Sequence, residues 1–340
     1  GELRPALAGA RAEKGDEQEM SKAFRFVAVL AVALLILASF TVAGLAQQIH
    51  VGFIATNFAA ESHARVANAF ESYARAMGWR VTMLDSRGSP QLQANQVEDL
   101  VHAGVDAIVI AMGRILEIRP ALELVFEAGI PLITIDSGYT AGAIADITTD
   151  NYVMGARIAS YLADRMNHEG NIILLKFEKH EGTRRRGKVL DVVLSENPNI
   201  TVLEEYWMNA TAGYMEDTRR AMETYVLRHG DKIDAVWAAF DELAYAAADV
   251  LEAHGLGRDK VIVVGIDGNP ETFRRIRAGS PIVATVAQPF EEMARIAVDL
   301  VDKIVVQGIS PEEAAPRKVI YVDAPLVDET NAPPEGQWPW

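Results

Sequence analysis

A chain of 340 residues, 50% hydrophobic and 23% charged, has the length for two domains and the balance of a globular protein. Its formal net charge of -15 opposes a broad phosphate-tracking surface and excludes a nucleic-acid partner, which would need unpaired cations. With no cysteine there is no disulfide, no thiolate metal site, no cysteine nucleophile and no thiol for a lipid anchor.

Residues 1–19 are polar and charged, precede a credible start methionine, and are assigned as an upstream segment without a role in the fold. Met20 opens a short cationic stretch with Lys22 and Arg25, residues 26–38 are uninterruptedly apolar, and Gly44, Leu45 and Ala46 offer a small-residue cleavage point. Residues 20–46 therefore have the form of a signal peptide, with the mature chain starting near Gln47. A membrane anchor is the competing reading, because weakly apolar sequence continues to Ala46.

From Ile49 onward, strand-like apolar runs alternate with helix-period segments every 25 to 35 residues or so, the pattern of repeated βα units on a parallel sheet. Strands are predicted at 49–55, 80–85, 107–111 and 132–136. The helix at 61–77 places Val66, Phe70, Tyr73 and Met77 on one face and stops at Gly78, and the next two helices stop at Gly104 and Gly129. A second series follows, with strands at 171–176, 201–206, 235–240 and 261–267 and helices near 152–167, 184–195, 212–228 and 241–254. After Asp267 come a helix at 271–278, a strand at 284–288, a long amphipathic helix at 290–306 and a strand at 319–322. The two series predict two similar lobes with no flexible tether between them. The tail 329–340, proline-rich with two tryptophans, lacks periodicity and is expected to be mobile.

Local enzyme motifs are missing. No glycine fingerprint follows the first strand, there is no phosphate loop, no nucleophile elbow and no zinc helix, and the seven histidines are scattered. What remains is a set of polar groups at predicted strand ends. Asp136 and Asp267 each close an apolar strand, Arg186 lies at a helix start in Thr183-Arg184-Arg185-Arg186-Gly187, and Gln288 ends Val286-Ala287-Gln288. Carboxylate, guanidinium and amide together hold a ring of hydroxyls in fixed planar geometries, and open α/β folds bind ligands at the carboxyl ends of their strands. Each aspartate alone could equally cap a helix, as Asp241 and its position before a helix suggest. Phe58, Trp207 and Phe240 lie at or beyond strand ends, where a ring could stack on a sugar face or simply fill the core.

The order of these pieces resembles the periplasmic sugar-binding proteins of the ribose-binding type, type I solute receptors of bacterial ABC importers. The carriers are Met83-Leu84-Asp85-Ser86 with Gln96-Val97-Glu98-Asp99-Leu100, then Ile133-Thr134-Ile135-Asp136, Thr149-Asp150-Asn151 with Gly155, Gly182 with Gly187, Phe240-Asp241-Glu242-Leu243-Ala244, Val264-Gly265-Ile266-Asp267-Gly268 and Thr285-Val286-Ala287-Gln288. The resemblance covers about residues 48–327. It implies an α/β fold of two similar lobes, each a parallel-rich sheet flanked by helices, joined by three crossovers near Thr149, Gln288 and Arg317. One lobe would comprise 48–149 with 289–317 and the other 150–288 with 318–328. It also implies ligand contacts from Thr56, Asp136, Arg186, Asp267 and Gln288. Ribose-type members have an arginine where this chain has Ser137, an asparagine at Phe240, stacking phenylalanines at Ser62 and His63, and an aromatic near Met208, so these positions are expected to shape a different ligand.

The resulting expectation is a soluble periplasmic receptor, monomeric and without cofactor or metal, that captures a small neutral carbohydrate or polyol by hinge closure and passes it to an ABC permease at the inner membrane. The rivals are the core of a sugar-responsive transcriptional regulator, which should begin with a basic helix-turn-helix, and a carbohydrate-active enzyme using Asp136 and Asp267 as acid and base. Alanine at Asp267 or Arg186 is expected to abolish binding and leave the fold intact.

Overall fold

A computed structural model of the chain describes residues 48–340. The predicted upstream segment and the signal peptide up to Ala46 lie outside the described residues.

The first series of βα units forms β1 (His50–Ala55), α1 (Glu61–Ala76), β2 (Arg80–Asp85), α2 (Pro90–His102), β3 (Ala107–Ala111), α3 (Arg119–Glu127), β4 (Leu132–Ile135) and β5 (Ala145–Thr148). The second forms α4 (Asn151–Arg165), β6 (Gly170–Lys176), α5 (Glu181–Ser195), β7 (Ile200–Trp207), α6 (Tyr214–His229), β8 (Ala235–Ala238), α7 (Asp241–Ala253), β9 (Ile262–Asp267), α8 (Pro270–Arg277) and β10 (Ile282–Ala287). The chain then adds α9 (Phe290–Val301), α10 (Pro311–Ala314), β11 (Val319–Tyr321) and β12 (Leu326–Asp328).

Two six-stranded sheets result. The first has the order β11-β5-β4-β3-β1-β2, all parallel, and the second β12-β10-β9-β8-β6-β7, parallel except for β12. Both sheets are covered on both faces, which is why their strands are continuous apolar runs. The period of two is still visible: Val51, Phe53, Ala107 and Val109 join one core with Val66 and Phe70 of α1 and Met293 and Ala297 of α9. Ile54, Ile108 and Ile110 point to the other face, against Val97 and Leu100 of α2 and Leu122 and Val125 of α3. Phe53 and Phe70 stack with ring centroids 4.8 Å apart. In the second lobe α4 and α5 approach so closely that a Cβ on Gly155 would lie 3.0 Å from the Arg186 Cα.

The chain passes between the sheets three times: after β5 at Thr149, after β10 at Gln288, and between β11 and β12. Asp150 marks the first passage by capping α4, its carboxylate accepting from the Tyr152 and Val153 amides. The third passage corrects the expected position near Arg317. Strand β11 pairs with β5 in the first sheet, so the chain crosses only in the stretch 322–325, and 318–321 belongs with the first lobe. The short strand β5 and the antiparallel β12 were not foreseen.

The tail makes specific contacts. Trp338 packs edge-on against Phe273 at 6.3 Å, stacks on Trp340 and lies over the Arg65 guanidinium, while Arg277 donates to the Pro333 carbonyl. These aromatic and hydrogen-bonded contacts seat Pro333 and Trp338 against the surface of the second lobe and Arg65.

Candidate functional site

The strand ends of both sheets face each other across one cleft. Its cavity encloses about 680 Å³ of empty space counting the open mouth, of which a water molecule's centre can occupy about 90 Å³. That is room for a small solute and not for a polymer. Thr56, Ser62, His63 and Asp136 line it from the first lobe, and Arg186, Met208, Phe240 and Asp267 from the second.

The two aspartates are set by strained backbone. Asp136 has φ +44° and Asp267 φ +144°, conformations that L-residues seldom adopt and that concentrate where surrounding structure fixes a functional side chain. Gly268 makes the second turn possible: at φ +67°, its missing Cβ would stand 2.3 Å from the Ala287 Cβ. Neither aspartate caps a helix. Asp136 Oδ1 accepts from Thr148 Oγ1 at 2.7 Å, and Asp267 Oδ1 accepts from Gln288 Nε2 at 2.8 Å with Arg186 Nη1 at 3.7 Å. Burial raises the Asp267 carboxyl well above the usual carboxylate range, with Arg186 acting in the opposite direction and Glu242 and Asp241 adding to the rise.

Arg186 is buried within α5 and held by Asn151 Oδ1 at 2.8 Å and the Ala239 carbonyl at 2.9 Å. Those bonds fix the guanidinium plane at the cavity wall. Asp241, expected to cap its own helix, instead accepts from the Asn269 amide and from Thr272 and Thr285 hydroxyls, tying α7 to the turn after β9. The reason is register: Asp241 already occupies the first turn of α7, whose cap position is Phe240.

Two predicted residues lie elsewhere. Ser137 Oγ accepts from the Gly113 amide and donates to the Ile135 carbonyl, so its hydroxyl is consumed by loop backbone outside this cavity. Gln288 is fully buried at the second crossing, its amide spent on Asp267 and Thr149, and it supports the site without lining it. Among the aromatic candidates only Phe240 reaches the cavity, where Phe177 and Tyr214 meet it edge-on at 6.4 and 5.7 Å. Trp207 is exposed beside Lys176, and Phe58 packs on the first core.

Sequence reasoning missed His180, Glu242, Tyr214, Phe177 and Arg114 on the cavity wall. Each follows a strand's carboxyl end within a few residues or opens a helix beside the cleft, a position that would have nominated it. The histidines are neutral donors. His63 Nδ1 accepts from the Asn57 amide, leaving the proton on Nε2, and burial lowers its pKa to about 4. His180 Nε2 donates to the Asp136 carbonyl across the cleft at 2.9 Å, and burial lowers its pKa as well. Glu242 accepts from the Glu61 amide of α1 at 2.9 Å, a second bond between the lobes, and burial followed by the Asp241 charge lifts its carboxyl to about 7.

Two doubly covered α/β lobes, three crossings and a cavity between facing strand ends define a bilobal binding protein of type I architecture. The sequence places it more closely. Residues 51–308 match the family described as the periplasmic binding protein domain, and the chain belongs to that family. It is similar to a xylitol-binding protein of Mycolicibacterium smegmatis, 29% identical over 62% of this chain and 59% of that protein, so the match spans rather more than half of that relative's length. The ribose import binding protein of Bacillus subtilis is 28% identical over 69% of this chain and 74% of its own. An ABC transporter solute binding protein from Mycobacterium smegmatis, solved with bound glycerol, superposes with a TM-score of 0.75 at 26% identity, covering 84% of this chain and 96% of its own.

Proposed function

We propose that this protein is the periplasmic receptor of a bacterial ABC importer, capturing a small neutral carbohydrate or polyol by hinge closure and presenting it unaltered to an inner-membrane permease. It would be exported by the segment 20–46, act as a monomer, and need no lipid anchor. The observation that carries this reading is the composition of the cavity. Carboxylates from both lobes, Asp136 and Asp267, face it with the fixed Arg186 fork, and Phe177, Phe240 and Tyr214 give one wall an aromatic face. Carboxylates accept from hydroxyls, the guanidinium donates to them, and rings cover the C-H face of a sugar.

Asp136 brings a carboxylate to the wall opposite Arg186, and burial lowers the pKa of both histidines, so their rings meet a solute as neutral hydrogen-bonding groups and not as cations. The ligands in the names of the relatives, a pentitol and a pentose, and the glycerol of the solved structure suit the same chemistry. A ligand touching both lobes favours the closed state because only that state offers both sets of contacts.

The test is a thermal-shift screen over pentoses, hexoses, polyols and their deoxy and acid forms. The cognate solute at a hundred times its dissociation constant should add about 2.7 kcal/mol of stability and be recovered unchanged. No stabilisation by any neutral carbohydrate or polyol, or conversion of the solute on incubation, would overturn the reading.

A further inference from the structure

Arg65 lies on α1 of the first lobe, yet most of its hydrogen bonds reach beyond that lobe. Nη1 donates to the Gly268 carbonyl and Asn269 Oδ1 at 3.1 Å and to the Asp267 carbonyl at 3.3 Å, and Nη2 donates to the Gln288 carbonyl at 3.1 Å. Nε and Nη2 also form a two-pronged pair with Glu291 of α9, both bonds at 2.9 Å. Glu291 and α1 both pack with the first lobe, whereas 267–269 is the turn that ends β9 in the second. Opening the lobes therefore strips the guanidinium of its bonds to 267–269 and leaves the Glu291 pair intact, which parks the charge in either state.

The same guanidinium is roofed by the tail. Trp338 lies over it with 4.2 Å from the guanidinium carbon to the ring centroid, and Phe290 lies 4.9 Å away on another side. The side chain of Arg65 is only 8% exposed as a result. Trp338 itself is anchored on the second lobe through Phe273, beside the small cluster of Phe273, Ala287 and Val327. Charge-assisted hydrogen bonds strengthen when water is excluded, and a guanidinium on an indole face gains a further attraction. The roof and the bonds beneath it thus act together.

We propose that Arg65, covered by Trp338, is a closure clamp: it holds the turn carrying Asp267 against the first lobe and keeps a share of the ligand-free molecules shut. Arg65 is a positioning residue in this assignment, acting through Asp267 and touching no solute. The inference rests on the reading of the protein as a receptor that closes on its solute, but its test uses no solute and so fails separately from the choice of ligand.

Because the chain has no cysteine, Glu98→Cys and Glu216→Cys, one exposed helix position on each lobe, give two unique sites for spin labels. Distances between the labels in the ligand-free, full-length protein are read by pulsed electron resonance. The expected result is a short-distance population that falls at least about threefold in Trp338→Ala and in Arg65→Lys, which loses the fork geometry, and that is largely restored in Trp338→Phe, which keeps a ring. Melting curves of the same samples identify any variant that is unfolded at the measuring temperature, and the two clamp variants report independently. A ligand-free protein with only the long distance, or distributions unchanged by both Arg65→Lys and Trp338→Ala, would overturn the clamp.

Discussion

At the scale of single residues, Arg186 and Asp267 differ in how they can be tested. Arg186 is 1% exposed and bonded to Asn151 and Ala239, so it belongs to the core as well as to the cavity wall, contrary to the expectation that its loss leaves the fold intact. Arg186→Ala should lower stability by about 3–5 kcal/mol in urea unfolding, because Asp267 and two acceptors lose their buried partner. Asp267→Asn preserves shape and the Gln288 bond, so it should cost less than about 1.5 kcal/mol of stability while weakening solute binding at least tenfold by calorimetry. Equal destabilisation by the two variants would refute the distinction. The carboxylates and Phe240 were legible because they stand at strand ends in sequence, whereas Arg186, within α5, was singled out through the family resemblance. Ser137 and Gln288 have equally suggestive positions, but their direction is set by the partners Gly113, Ile135 and Thr149, which no local pattern encodes.

Among the elements, the long strands and helices announce themselves by period and by the glycines that follow them, and their observed limits lie within a few residues of the predicted ones. The exceptions are short. Residues 145–148 read Ala-Asp-Ile-Thr, with Asp146 buried under Thr134 Oγ1 and the Ser137 amide, so a carboxylate occupies what an apolar pattern would reserve for a hydrophobe. The strand Leu326–Asp328 has too few residues to show alternation. Element junctions give a sharper test than element interiors. Alanine at Gly268 would combine left-handed strain with a clash against Ala287, and should cost about 2–4 kcal/mol of unfolding free energy, measured by urea denaturation. A stable Gly268→Ala protein with unaltered Asp267 geometry would show that the turn tolerates a side chain.

On the scale of the whole molecule, the lobes meet through ionisable groups whose signs oppose one another. Glu242 titrates at about 7 when folded against 4.5 as a free group, so the native state keeps its proton longer and the stability it supports is lost as pH rises from about 4.5 to about 7. His63, lowered to about 4 from 6.5, acts in reverse: stability rises with pH over about 4 to 6.5. A single pH-stability curve therefore mixes the two. The difference between Glu242→Gln and the unmutated protein isolates the carboxyl: the variant should become relatively more stable as pH rises through that window, by about 3 kcal/mol at pH 8, and a difference independent of pH would exclude a raised Glu242. The two edge strands, β11 and β12, have one more consequence. They are neighbours in sequence, yet each completes a different sheet, the first beside β5 and the second beside β10. Both sheets therefore draw an edge strand from one short stretch, 319–328, and its loss would bare β5 in one sheet and β10 in the other at the same time.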